Sequence, residues 1–201
     1  MALGYTWDKL VDRCLVQVDA SKVALKKFLH EGEFELTRKV NILEEESIHS
    51  SFSSYLYQLP SNFKEIIAVY QDGIKLSKMD FTELDMDSSN TIRSGTPTRY
   101  TVKTSNNTVG PTHQIIFDRN ANSVKLKVYY FALAESPANY INPIVPYQYQ
   151  ADLCLYANAM VLKKVDPAAS ADFMQEWNMV VEQIRGEDSD RDIIYEIKEE
   201  I

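Results

Sequence analysis

The chain opens with apolar residues at helical spacing. Trp7, Leu10, Val11, Cys14, Leu15 and Val18 recur every three or four positions, the stripe of an amphipathic helix, with Thr6 ahead of them as its N-cap. Asp19 or Ser21 caps a second helix that carries Val23, Leu25, Phe28, Leu29, Phe34 and Leu36. Gly32 weakens that helix by up to ~1 kcal/mol and predicts a bend or break there. The charges of Glu31, Glu33, Arg38 and Lys39 are expected to face solvent or a neighbouring subunit. The two helices read as a tight antiparallel pair.

From about residue 48 the period shortens to two. Tyr55, Tyr57 and Leu59 alternate with smaller or polar residues until Pro60, and Ile66 to Tyr70 reads as a second strand. Asp72-Gly73 then predicts a hairpin turn, because both positions must take positive φ, and Lys75-Leu76 return along the partner strand. Residues 80–98 are polar, with a turn at Gly95-Thr96-Pro97. Arg99 to Lys103 alternates again, and Ile115 to Phe117 and Val124 to Tyr130 form the last strands, joined by the turn-rich 118–123. Lys125 and Lys127 fall on one face of the final strand, which is therefore solvated.

Pro137, Pro143 and Pro146 lead back to helix. Tyr147 to Val165 reads as one helix, with Tyr149, Leu153, Tyr156, Ala157, Met160 and Val161 near one face. Asp166-Pro167 closes it and opens the next, since proline loses nothing in a first turn. Ala171, Phe173, Met174, Trp177, Val180, Val181 and Ile184 make that helix amphipathic, and Gly186 is read as its end. The expectation is an α+β fold: an antiparallel helical bundle with an inserted small antiparallel sheet or open barrel, and an extended C-terminal arm. Its segments are 1–47 (helical pair), 48–136 (β insertion), 137–186 (second helical pair) and 187–201 (arm). In the arm, a polar stretch precedes Ile193, Ile194, Tyr195, Ile197 and Ile201, which so short a tip cannot bury by itself. It is expected to dock on its own body or on a partner.

Composition narrows the function. The 201 residues are 45% hydrophobic and 25% charged, as in an ordinary globular chain, with six Gly and seven Pro acting as punctuation. No apolar run approaches the ~20 residues of a membrane span. The segment after Met1 has neither a basic nor an apolar stretch of the secretory kind, so the chain is expected to stay where it is made. Twenty-one Lys plus Arg against 29 Asp plus Glu give a charge of −8, which argues against gripping a phosphate backbone but suits a surface past which DNA slides. Cys14 and Cys154 lie within apolar helical patterns and read as buried free thiols.

Candidate chemistry is sparse. The phosphate loop, the zinc-protease helix motif, the nucleophile elbow and the paired-cysteine motif are all missing from the sequence, and His30, His49 and His113 have no metal-ligand spacing. Asp80, Glu83, Asp85 and Asp87 form the densest carboxylate run. Asp85 to Asn90 begins like a calcium loop, but Asn90 replaces its sixth-position glycine and Thr96 its final glutamate. Asn106-Asn107-Thr108 matches a glycosylation acceptor. His113 lacks an evident nucleophile beside it, and the tyrosines Tyr129, Tyr130, Tyr140, Tyr147, Tyr149 and Tyr156 read as half-buried core or interface residues. Neither an enzyme nor a cofactor is expected.

The order of several short motifs is informative. Leu59-Pro60-Ser61-Asn62-Phe63 is followed by Val69-Tyr70-Gln71-Asp72-Gly73, by Gly95-Thr96-Pro97-Thr98-Arg99-Tyr100, by Ile115-Ile116-Phe117 and by a strand ending in Tyr129-Tyr130. Pro143-Ile144-Val145-Pro146-Tyr147-Gln148-Tyr149 then enters an Ala- and Leu-rich helix. This succession, over about residues 48–186, resembles the head-to-tail adaptor (connector) proteins of tailed, especially short-tailed (podovirus-like), bacteriophages. Asn62 stands where the family has Asp, and Asp118-Arg119-Asn120 replaces its proline-rich turn.

The resemblance implies a structural virion protein at the portal vertex, made in the host cytoplasm. Such adaptors form a ring of copies of themselves, usually a dodecamer, beneath the portal protein. They extend the DNA channel and give tail proteins their attachment surface. Helices pack around the ring, the β part faces tail components, and a C-terminal arm reaches the portal. Here that arm contributes Ile193, Ile194, Tyr195, Ile197 and Ile201 as expected portal contacts, while DNA passes without specific binding and no membrane is involved. The alternative reading is a ligand- or carbohydrate-binding β module of a phage tail, using the tyrosine-rich sheet.

Overall fold

The Thr6 hydroxyl accepts a hydrogen bond from the Lys9 N–H at 3.3 Å, so the first helix, α1 (Trp7–Leu15), starts where the sequence places it. Ser21 caps α2 (Lys22–Lys39) in the same way, through the Ala24 N–H at 3.2 Å. The computed structural model describes residues 4–83, 94–107, 110–135 and 142–199. The chain divides into two compact units, 1–43 with 133–201, and 44–132.

The helical unit adds a short α3 (Tyr147–Gln150), α4 (Leu153–Leu162) and α5 (Pro167–Glu199). The expected single helix over 147–165 is thus split by a turn at Ala151-Asp152. The sequence of α4, Leu-Cys-Leu-Tyr-Ala-Asn-Ala-Met-Val-Leu, is apolar nearly all round, which explains why it touches α1, α2 and α5. Trp7, Leu10, Leu25, Leu29, Leu36, Leu153, Trp177 and Ile184 form its fully buried core. Cys14 and Cys154 are free and buried there; the neighbouring Cys154 sulfur and burial both raise the pKa of Cys14, which stays a thiol.

Two glycines behave differently from the sequence reading. Gly32 neither bends nor breaks α2, which is continuous to Lys39. It is where α4 comes close: a Cβ there would meet the Tyr156 ring and Cβ at 3.1–3.3 Å. Gly186 does not end α5, and residues 187–192 are helix rather than linker, so the C-terminal arm is a continuation of α5 as far as Glu199. Nothing lies within 4 Å of a Cβ built at Gly186. An exposed glycine only lowers helix propensity, by about 1 kcal/mol, and stops nothing without a left-handed residue to turn the chain. The start of α5 is as read: the Asp166 carboxylate accepts from the Ala169 N–H at 3.1 Å, with Pro167 in the first turn.

The β unit contains two four-stranded open sheets instead of a single sheet or barrel. One has the order β1 (Glu44–Phe52), β8 (Val124–Ala132), β3 (Phe63–Gln71), β4 (Ile74–Lys75). The other has β2 (Leu56–Gln58), β7 (Gly110–Phe117), β6 (Arg99–Asn107), β5 (Ser77–Lys78), the β5–β6 pair being parallel. Strands β7 and β8, adjacent in the chain, lie in different sheets. Aromatic contacts join the two: Phe52 of β1 lies 5.5 Å from Phe117 of β7, and Phe63 of β3 lies 5.1 Å from His113 of β7. The Asp72-Gly73 turn has φ of 47° and 86°, as the hairpin signal requires.

Candidate functional site

Helix α5 has three different stretches. Trp177, Val181 and Ile184 are buried in the helical unit's core. About one turn beyond Ile184, Glu187 closes the anchored part: its carboxylate accepts from the Tyr149 hydroxyl at 2.7 Å and from the Gln183 amide at 3.1 Å. The backbone then continues as helix to Glu199. Ile193, Ile194, Tyr195 and Ile197 fall on this last stretch, while Ile201 lies outside the described residues. By helical register, positions 193 and 197 are on the side of the helix opposite positions 177 and 184, at 100° per residue. Position 195 instead falls in line with 177 and 184, so the apolar positions beyond Glu187 are spread around the helix rather than gathered on one side.

The anchored half carries a second face. Ala171, Met174, Gln175, Asn178, Met179 and Glu182 line an open groove of about 680 Å³, and Met179 is 64% exposed. These positions follow i, i+3, i+4, i+7, i+8 and i+11, the rows into which side chains of another helix interdigitate.

The most perturbed acid is one that sequence reading sent to the surface. Glu33 is 5% exposed, and one of its carboxylate oxygens accepts the N–H groups of Ile144 and Val145 at 2.6 and 3.2 Å. Burial lifts its pKa to about 6, against the lowering effect of those two hydrogen bonds. The same segment is held from the other side by Gln150, whose amide donates to the Pro143 and Val145 carbonyls at 3.3 and 2.9 Å. Glu33 and Gln150 thus orient the chain entering α3 and α4; the only sequence signal was a polar residue on the inner stripe of α2.

The other nominated residues do not converge. Glu83 pairs with Arg99 at 3.2 Å, while Asp85 and Asp87 lie outside the described residues. His113 meets the Thr104 hydroxyl at 3.0 Å, and His30 stacks on Trp7 at 4.0 Å. The tyrosines are dispersed: Tyr130 is buried against Glu45, Tyr147 stacks on Tyr5 at 5.7 Å, Tyr156 packs on Trp177 at 5.5 Å, and Tyr140 lies outside the described residues. Among the described residues no group of three or more His, Cys, Asp and Glu is placed to hold a metal ion, and no helix is long and apolar enough to cross a membrane.

No protein-family model matches the chain, and no curated protein matches it in sequence.

Proposed function

We propose that this chain is a structural virion protein, a head-to-tail adaptor of a tailed, short-tailed bacteriophage. Copies form a ring beneath the portal, extend the DNA channel and present the tail attachment surface. The role is assembly, not catalysis. The observation that carries this reading is α5. It is anchored through Ile184 and Glu187, then runs on to Glu199, about 18 Å of helix at 1.5 Å per residue that carries the apolar positions 193, 194, 195 and 197. Such a helix serves as the arm that engages the portal through Ile193, Ile194, Tyr195, Ile197 and Ile201. Burying large apolar side chains contributes roughly 1.5–3 kcal/mol each before ordering costs.

Three further features support it. The motif order quoted above falls in the β unit and at the start of α3. The groove on α5 offers a face for a neighbouring helix, and unlike faces joined head to tail generate closed rings. The charge of −8 keeps DNA from adhering to a channel wall.

The test is co-purification with the portal protein of the same phage. The full chain is expected to bind. A full-length Ile193→Asp/Ile197→Asp variant is expected to lose binding while keeping the wild-type circular dichroism and melting temperature. A chain ending at Glu187 is expected to lose binding, and the ellipticity of the deleted helical residues, while keeping the melting temperature. Unchanged binding by either variant overturns the assignment of the arm.

A further inference from the structure

On the outer face of the β1–β8–β3–β4 sheet, Tyr70, Asp72, Gly73, Lys125, Lys127 and Tyr129 line an open depression of about 640 Å³. Its floor is rigid. The Asp72 N–H donates to the Lys125 carbonyl at 2.9 Å, and the Asp72 carboxylate accepts the Lys125 N–H at 2.8 Å, so the hairpin turn is pinned to β8. The Tyr70 and Tyr129 rings meet edge to face, centroids 5.8 Å apart at 88°, leaving a corner between one ring's face and the other's edge. The Lys127 ammonium sits 5.9 Å from the Tyr129 ring centre and 3.5 Å from its hydroxyl. Among the described residues neither Lys125 nor Lys127 is ion-paired, although the chain carries an excess of acids.

We propose that this depression binds an extended acidic peptide segment of a partner protein, with carboxylates on Lys125 and Lys127 and an apolar side chain in the tyrosine corner. The two lysines are two residues apart on one strand, so their stems are spaced ~7 Å along it, the spacing of alternate side chains in an extended peptide. Acidic residues at i and i+2 of the ligand match that spacing. The same face argues against a nucleic acid strand. Glu44 and Glu46 stand opposite Phe131 and Tyr129 across the β1–β8 ladder, so a polyanion running on along β8 meets carboxylates after two cationic contacts. A short acidic segment puts its apolar side chain, not a carboxylate, at the level of Tyr129 and Glu46. The site is independent of the assembly reading, because the isolated chain carries all of it.

The test is a titration of the full chain, labelled with ¹⁵N and followed by amide NMR at low salt. The probes are a six-residue peptide with aspartates at positions 1 and 3 and a phenylalanine at position 5, the same peptide with asparagines, and a six-nucleotide single-stranded DNA. The aspartate peptide is expected to shift the amides of Tyr70, Asp72, Gly73, Lys125, Lys127 and Tyr129, with affinity lost about tenfold in Lys125→Glu/Lys127→Glu and falling as salt rises. Tyr129→Ala is expected to weaken binding at every salt concentration. Three results overturn the proposal: equal binding of the asparagine peptide, tighter binding of the DNA at these residues, or no shift at millimolar peptide.

Discussion

Glu33 and Ile144 are 111 residues apart in the chain and joined by a hydrogen bond of 2.6 Å from the Ile144 N–H to the Glu33 carboxylate. The bond fixes where the chain re-enters the helical unit. The burial of that carboxylate makes stability depend on pH. Burial raises the pKa of Glu33 to about 6, so the folded state holds its proton more tightly than the unfolded state does. The Glu33 contribution is therefore most favourable below pH 4.5 and is lost as pH rises through 6. Glu33→Gln removes this dependence: relative to wild type it is expected to gain roughly 1 kcal/mol between pH 5 and pH 7.5, measured by urea unfolding at the two values. Parallel changes in the two proteins contradict it. Glu33→Leu leaves the buried Val145 N–H and the half-buried Ile144 N–H unpaired and is expected to destabilise by about 2 kcal/mol or more at either pH.

His30, one turn earlier on α2, works in the opposite direction. Its ring stacks on Trp7, and both ring nitrogens are buried without a hydrogen-bond partner among the described residues. Burial first, and the nearby Lys26 second, lower its pKa to about 4. Its contribution is complete above pH 6.5 and is lost as pH falls toward 4, because only the unfolded chain takes up the proton. His30→Phe is expected to become more stable relative to wild type by about 2 kcal/mol on going from pH 7.5 to pH 5. A pH-independent difference between the two contradicts it.

The two helical glycines call for opposite outcomes from the same substitution. At Gly32 an added Cβ meets the Cβ, Cγ and Cδ1 atoms of Tyr156, a ring already packed on Trp177. Gly32→Ala is expected to lower stability by about 1 kcal/mol, the clash outweighing the gain in helix propensity. At Gly186 the added Cβ meets nothing within 4 Å, and Gly186→Ala is expected to raise helicity and stability by up to about 1 kcal/mol. Thermal unfolding of both variants reads the two signs; equal signs contradict this account of the glycines.

What sequence made legible was local. Thr6, Ser21 and Asp166-Pro167 mark helix starts through bonds within three residues of themselves, and Asp72-Gly73 marks its turn through its own φ angles. What stayed hidden depends on distant partners. Strand β1 opens with Glu44-Glu45-Glu46, charges that mask a strand held in place by its ladder with β8. Glu33 looks like a surface residue until two N–H groups 111 and 112 residues away are brought to it. Gly32 is explained only by Tyr156. The assignment of β7 and β8 to different sheets is a matter of pairing, which the turn between them does not encode. For the arm, the isoleucines were visible in the sequence, but the helix that carries them was obscured by Gly186 and the acidic run after it.

The proposed adaptor forms a ring at one vertex of the particle. The most direct test is quantitative mass spectrometry of purified particles that contain the chain, counting it against the portal protein. A ratio of about one to one is the expected result for a ring built on the portal. Absence from the particle, or a large excess over the portal, contradicts it.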